Sequence, residues 1–181
     1  MTFGFREKRC RKNLPLADTS FQMAFDPEPN PSVPPLVADA FVIQARLHGA
    51  DFRYEMNSIV TRLESFLSSS LFEDADARFE VTPLNTQFDI LSGAAAFIGQ
   101  TLVREHDGLW TGYFAPDSGT NFYTATITFG EYSLHPICWL SYRLTNGVAE
   151  GTVSDWLGRV LPSIIARKDL TPKTGIITDI Y

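Results

Sequence analysis

Hydrophobic positions along this chain fall into blocks of different period, and the blocks predict a mixture of helices and strands. The clearest block spans 51–69. There Phe52, Met56, Ile59, Val60, Leu63, Phe66 and Leu67 recur at steps of three and four. That spacing puts them on one helix face, with Asp51 as the expected N-cap. An earlier helix is expected over 36–47, stopped by Gly49. Its core, AFVIQARL, also fits a strand. A third helix is expected over 86–105, where Phe88, Leu91, Ala95, Ile98 and Leu102 repeat at heptad-like spacing and Gly108 supplies a stop.

The middle of that third helix, SGAAAFIGQ, is rich in small residues. Gly93 and Gly99 each cost roughly 1 kcal/mol of helix propensity. A sequence accepts such a cost where another backbone must come close, so this helix is expected at the centre of the fold. The run does not read as a phosphate loop. It has no GKS/T ending, and it lies inside a helix rather than at a strand-to-helix turn.

Beyond it the period shortens. The runs 109–114 (LWTGYF) and 121–129 (NFYTATITF) are rich in aromatic and β-branched residues, with the loop APDSGT between them. In the second run Tyr123, Ala125, Ile127 and Phe129 form the expected buried face. Gly130 and Glu131 turn the chain into a short third strand over 132–135, completing a meander. Pro136 is placed to open a helix that ends at Asn146 and Gly147. Thr152 opens another, because TVSD has the layout of a capping box with Asp at the acidic position. Pro162 interrupts its apolar pattern and predicts a kink or break. The tail, TPKTGIITDIY, is expected either to add a last strand at Ile176 and Ile177 or to stay mobile.

These segments make an α+β protein, a small antiparallel sheet of about three to five strands packed with about four or five helices. The domain is expected over 36–181, preceded by a basic and proline-rich arm over 1–35. Five prolines in the ten residues 26–35 predict an extended segment, read as a linker or an arm lying on the domain surface. Pro31 and Pro34 also make a PxxP, the alternative reading being a ligand for an SH3-type domain. With 181 residues, one domain with a full core is expected. The 14 phenylalanines point to an aromatic interior.

Charge changes the picture more than composition does. The net charge is −6, yet residues 6–12 (REKRCRK) carry five basic side chains and one acidic, a local +4. The remainder therefore carries −10, since −6 minus +4 is −10. A body of that sign repels nucleic acid and favours basic partners. No apolar run approaches the ~20 residues that span a bilayer, and no apolar stretch follows the N-terminal charges as in a secretory signal. A cytoplasmic protein is expected, with no membrane and no nucleic-acid partner. Cys10 and Cys138 are too few for a disulfide scaffold or a zinc cluster and are expected as free thiols.

Candidate chemistry is sparse. His48, His106 and His135 lie near element ends and make no HxxxH or HExxH spacing. His135 and Cys138 are three apart and could face each other on a helix, the layout of an activated thiolate. Ile137, Trp139 and Leu140 around Cys138 argue instead for a buried, inert thiol. Serines offer no GxSxG elbow, and the carboxylate pairs Asp74/Asp76 and Asp107/Asp117 fall in loops. No cofactor, metal or catalytic residue is assigned. The candidate interface is an aromatic patch around one loop: Trp110, Tyr113, Phe114, Phe122 and Tyr123, with Asp117 among them.

From about 91 to 164 the chain resembles a pattern found in small bacterial domains of unknown function. The matching pieces are Gly93-Ala94-Ala95-Ala96-Phe97-Ile98-Gly99, Gly108-Leu109-Trp110, His135-Pro136 and Asn146-Gly147. The chain departs at Gln100, where an acidic residue is common, and at His135, where asparagine is common. Some similar small acidic proteins are immunity proteins that neutralise toxins. The resemblance therefore implies a non-catalytic binding protein, with a basic protein or a toxin as partner. It transfers no catalytic residue. Two further readings stand beside it, an accessory module that docks through its arm and an enzyme of an unrecognised class. The β edge and the aromatic patch also allow a homodimer.

Overall fold

The computed structural model describes residues 30–67, 77–111, 125–146, 151–167 and 178–180. The first helix, α1, runs Val33–Leu47, so AFVIQARL is helical. Its start differs from the expected boundary. The end of the proline segment forms the first turn, with Val33 and Pro34 buried. Proline is tolerated there because the first helical N–H groups have no intrahelical acceptor. The helix closes at His48 and at Gly49, which has φ 82°.

The block at 51–69 is also corrected at its start. Residues 51–55 are not helical, and Glu55, in an extended conformation, occupies the N-cap position instead of Asp51. Phe52 is nevertheless buried, since it stacks on Phe41 at 5.7 Å. The second helix, α2, is composite: Met56–Ser58 is α-helical, Ile59–Leu63 is a π turn, and Glu64–Leu67 is α-helical again. Within it the Thr61 hydroxyl donates to the Asn57 carbonyl at 2.7 Å, the local competition that β-hydroxyl side chains offer to a helix ladder. The π turn keeps Ile59 and Leu63 buried while Val60, Thr61 and Arg62 face out.

The third helix starts later than its hydrophobic spacing predicts. Thr86–Asp89 is a strand, β2, paired antiparallel with β1, Arg78–Val81. Neither strand is expected from the sequence. Asp89 ends β2 and caps α3, Ile90–His106, by accepting from the Ser92 N–H at 2.6 Å. Phe88 satisfies both readings, because one buried position serves a strand as well as a helix.

The meander forms as expected among the described residues; 112–124, which include the rest of the first expected strand and the start of the second, lie outside them. Strands β3 (Leu109–Thr111), β4 (Thr126–Phe129) and β5 (Tyr132–Leu134) pair antiparallel in that order. A parallel strand, β6 (Thr178–Ile180), adds to β5. The expected strand positions Ile176 and Ile177 lie outside the described residues. Ile127 and Phe129 are the buried face of β4, and Ala125, just before the strand, is buried with them. Helix α4 runs Pro136–Asn146 and α5 runs Val153–Arg167. The capping box at α5 is reciprocal. The Thr152 N–H donates to Asp155 Oδ2 at 2.8 Å, and the Asp155 N–H donates to Thr152 Oγ1 at 3.1 Å. The helix continues past Pro162 to Arg167 without the predicted break. The class is α+β, with five helices and two small sheets among the described residues.

The core is centred on α3, which is buried from Ser92 through Leu102. On one side, α1 and β1 bring Phe41 and Phe79 against Gly93, where a Cβ would lie 2.7 Å from ring carbons of both. Phe41, Phe52, Phe66 and Phe97 form a ring cluster there, with centroids 5.0–6.0 Å apart. On the other side the meander places Trp110 across Gly99, and Ile127 packs beside it. The missing side chains of Gly93 and Gly99 thus admit two different layers. Trp139 of α4 stacks on Trp156 of α5 at 4.5 Å and joins the last two helices.

Candidate functional site

The aromatic patch named from the sequence divides. Trp110 lies in β3 and points inward, 7% exposed. Its indole Nε1 donates to Gln100 Oε1 at 2.9 Å. The ring is therefore part of the core, and its polar edge is satisfied by a buried amide. Tyr113, Phe114, Asp117, Phe122 and Tyr123 lie outside the described residues. They belong to the connection between β3 and β4.

The base of that connection is described. Thr111 and Thr126 are register partners, and the Thr111 hydroxyl donates to the Thr126 carbonyl at 3.4 Å. Thr126 Oγ1 stands 3.1 Å from His135 Nδ1. On the outer face of this sheet Leu109 is exposed, and the Thr128 hydroxyl donates to its carbonyl at 3.4 Å. Strand alternation sends Trp110, Ile127 and Phe129 inward and leaves the threonines outside.

Tyr54 anchors the other polar cluster. Its hydroxyl donates to Asp39 Oδ1 of α1 at 2.6 Å. The Arg104 guanidinium lies 3.8 Å above its ring, and Phe97 sits 5.5 Å away. Glu105 Oε1 accepts from the Met56 N–H at 2.9 Å, capping α2 from the end of α3. Burial pushes the Tyr54 phenol well above the ordinary tyrosine range. The hydrogen bond to Asp39 and that carboxylate's charge push the same way, and Arg104 opposes them. Held neutral, Tyr54 is a hydrogen-bonded clamp between α1 and α3 and not a source of phenolate.

Glu64 organises a third cluster. One carboxylate oxygen accepts from Arg143 of α4, and the other accepts from the Val153 N–H at 2.7 Å, at the start of α5. The pair is largely enclosed, with side chains 9% and 24% exposed for Arg143 and Glu64. A single carboxylate therefore ties the π-containing helix to two others and sits at the positive end of α5.

The histidines occupy helix ends, as their sequence positions imply. His48 caps α1 and His106 ends α3, while His135 precedes α4. Cys138 is buried among Ile137, Trp139 and Leu140, and Cys10 lies outside the described residues. Among the described residues no three His, Cys, Asp or Glu side chains gather as a metal site. No described helix is long and apolar enough to cross a membrane.

Sequence reasoning missed Gln100, Glu64 and the Asp39–Tyr54–Arg104 cluster. Gln100 carried a signal, being the one long polar side chain between Gly93 and Thr101. Glu64 and Tyr54 carried none, because their partners are 79 and 15 residues away. Comparison with protein-family models, curated proteins and solved structures returned no match.

Proposed function

We propose that this chain is a non-catalytic binding protein that captures a basic protein partner, in the manner of bacterial immunity or antitoxin-like proteins. The observation that carries the reading is the charge distribution, +4 over residues 6–12 and −10 on the remainder of a chain of net charge −6. A field of that sign raises the encounter rate with a basic surface and disfavours acidic competitors. Among the described residues Asp39, Glu55, Glu80, Glu105 and Asp107 are exposed and add to that field, while Asp51 is paired with Arg46 and Arg62. The chemistry-bearing groups of the interior serve packing in this reading: Trp110 and Gln100 satisfy each other, and Glu64 holds Arg143 and the start of α5. A reducing cytoplasm suits the buried Cys138 thiol.

The test is affinity capture from the native host at low salt, followed by a titration of ionic strength. A basic partner is expected, with an association rate that falls as salt rises. A captured partner that is acidic, or whose binding ignores salt, overturns the proposal. The basic segment of the arm favours a second reading, an accessory module docked through that arm, whereas the PxxP is taken up by α1, where Pro34 is buried. That reading expects capture to be lost when residues 1–29 are deleted, a limit that spares buried Val33 and Pro34.

A further inference from the structure

The four-stranded sheet turns Trp110, Ile127 and Phe129 inward, and its other face opens at Leu109, which is 68% exposed. Leu109 is the register partner of Thr128, and Thr111 of Thr126, so the leucine and the three threonines share that outer face. The register also sets the start of β3 beside the turn between β4 and β5. Asp107, Leu109 and Glu131 therefore lie at one end of the sheet. A single exposed leucine is ordinary on a protein surface. What marks this one is the charge around it.

We infer that the basic partner docks on this outer face, over Leu109, Thr111 and Thr128 and beside Glu131, which rests on reading the chain as a receptor for a basic protein and adds where that protein lands. Residues 105–142 contain neither Lys nor Arg, while they carry Glu105, Asp107, Asp117 and Glu131. Strand β6 adds Asp179 and no cation. The exposed arginines sit on other elements: Arg46 on α1, Arg53 and Arg62 at α2, Arg78 on β1, Arg104 on α3 and Arg159 on α5.

That placement decides between the acidic surfaces of the molecule. A basic partner approaching Asp51 meets Arg46 and Arg62, which already pair with it. Near Asp39 it meets Arg104, held over the ring of the Tyr54 that binds Asp39. Glu80 stands two residues from Arg78 on the exposed side of β1. Like charges brought together oppose docking, and the sheet face is free of them. Its hydroxyls suit the same partner. Those of Thr111 and Thr128 donate to sheet carbonyls at 3.4 Å, so their oxygens keep lone pairs for the N–H groups of Lys or Arg. Leu109 supplies the apolar contact inside that polar rim.

The test uses the full chain and a defined probe, a short peptide of alternating lysine and leucine, with an alternating glutamate and leucine peptide as its counterpart. At low ionic strength the lysine peptide should shift backbone amide resonances at 109–111 and 126–131 and leave those of 46–62 in place. Leu109→Lys and Glu131→Lys should each weaken it roughly tenfold, and Leu109→Ala and Glu131→Gln about threefold. Neither residue belongs to the core, so near-ultraviolet circular dichroism should be unchanged in all four. Glu80→Lys makes the same charge reversal beside Arg78 and should alter binding less than about twofold. Binding that survives both Leu109→Lys and Glu131→Lys overturns the placement; if Glu80→Lys or added salt weakens that binding, the basic-partner reading still stands. Equal binding of the glutamate peptide makes the contact merely apolar and overturns the placement. No binding of the lysine peptide overturns the placement and the basic-partner reading together.

Discussion

The indole of Trp110 lies directly across Gly99, at a distance that leaves no room for a Cβ on the helix. This contact brings β3 onto α3 and fixes the depth at which the meander sits. Gly99→Ala should therefore be an overpacking mutation, destabilising by about 1–3 kcal/mol in chemical denaturation. Gly158 of α5 is the control within the same molecule. Nothing lies within 4 Å of a Cβ built there, and the residue is exposed. Gly158→Ala should stabilise by about 0.5–1 kcal/mol through helix propensity. Equal effects at the two positions would contradict the packing described.

Gln100 is next to Gly99 in the chain and accepts from the Trp110 indole. Gln100→Leu should leave that buried donor unpaired, at a cost of about 1–3 kcal/mol. Combining it with Trp110→Phe should cost less than the sum of the two, since the second change removes the stranded donor. A thermodynamic cycle over the four chains measures the coupling, and additivity would argue against a hydrogen bond.

The Glu64–Arg143 pair predicts a different asymmetry. Glu64→Ala strands an enclosed guanidinium and uncaps the Val153 N–H, so a loss of about 3–5 kcal/mol is expected. Replacing both partners, with Glu64→Leu and Arg143→Met, should recover a large part of that loss. Thermal unfolding of the three chains decides it. A double replacement as unstable as Glu64→Ala would show that the Val153 contact outweighs the ion pair.

Tyr54 predicts the alkaline behaviour. Burial and the bond to Asp39 raise its folded pKa above the ordinary value of 10.0. The folded chain then holds a proton that the unfolded chain releases, so stability falls as pH rises past about 10. Tyr54→Phe should remove that slope while costing about 1 kcal/mol at neutral pH for the lost hydrogen bond. Denaturant unfolding at stepped pH, with absorbance at the phenolate band, follows both. Ionisation of Tyr54 in the folded chain near pH 10 would contradict the burial.

What could be read from the sequence was local. The period of three and four identified α3 and the body of α2, and the alternation of Ala125, Ile127 and Phe129 identified the face of β4. The Thr152–Asp155 box located the start of α5 to the residue. The small residues of α3 announced a central helix because glycine there costs propensity that only close packing offsets. The β1–β2 hairpin was hidden because Phe88 suits either period, and four-residue strands hold too few positions for alternation to declare itself.

The candidate site was less legible. Trp110 was named as an interface aromatic, and the fold turns it inward to Gln100, a choice between two sides of one short strand. The chain by itself determined which segments are helical or extended, where α5 begins, and that a glycine-bearing helix lies at the centre. Tertiary structure alone decided that Glu64 meets Arg143 and Val153, that Tyr54 meets Asp39 and Arg104, and that Ile43 and Leu47 face outward. Periodicity reports which residues share a face. Which face is covered, and by what, depends on contacts between segments far apart in the chain.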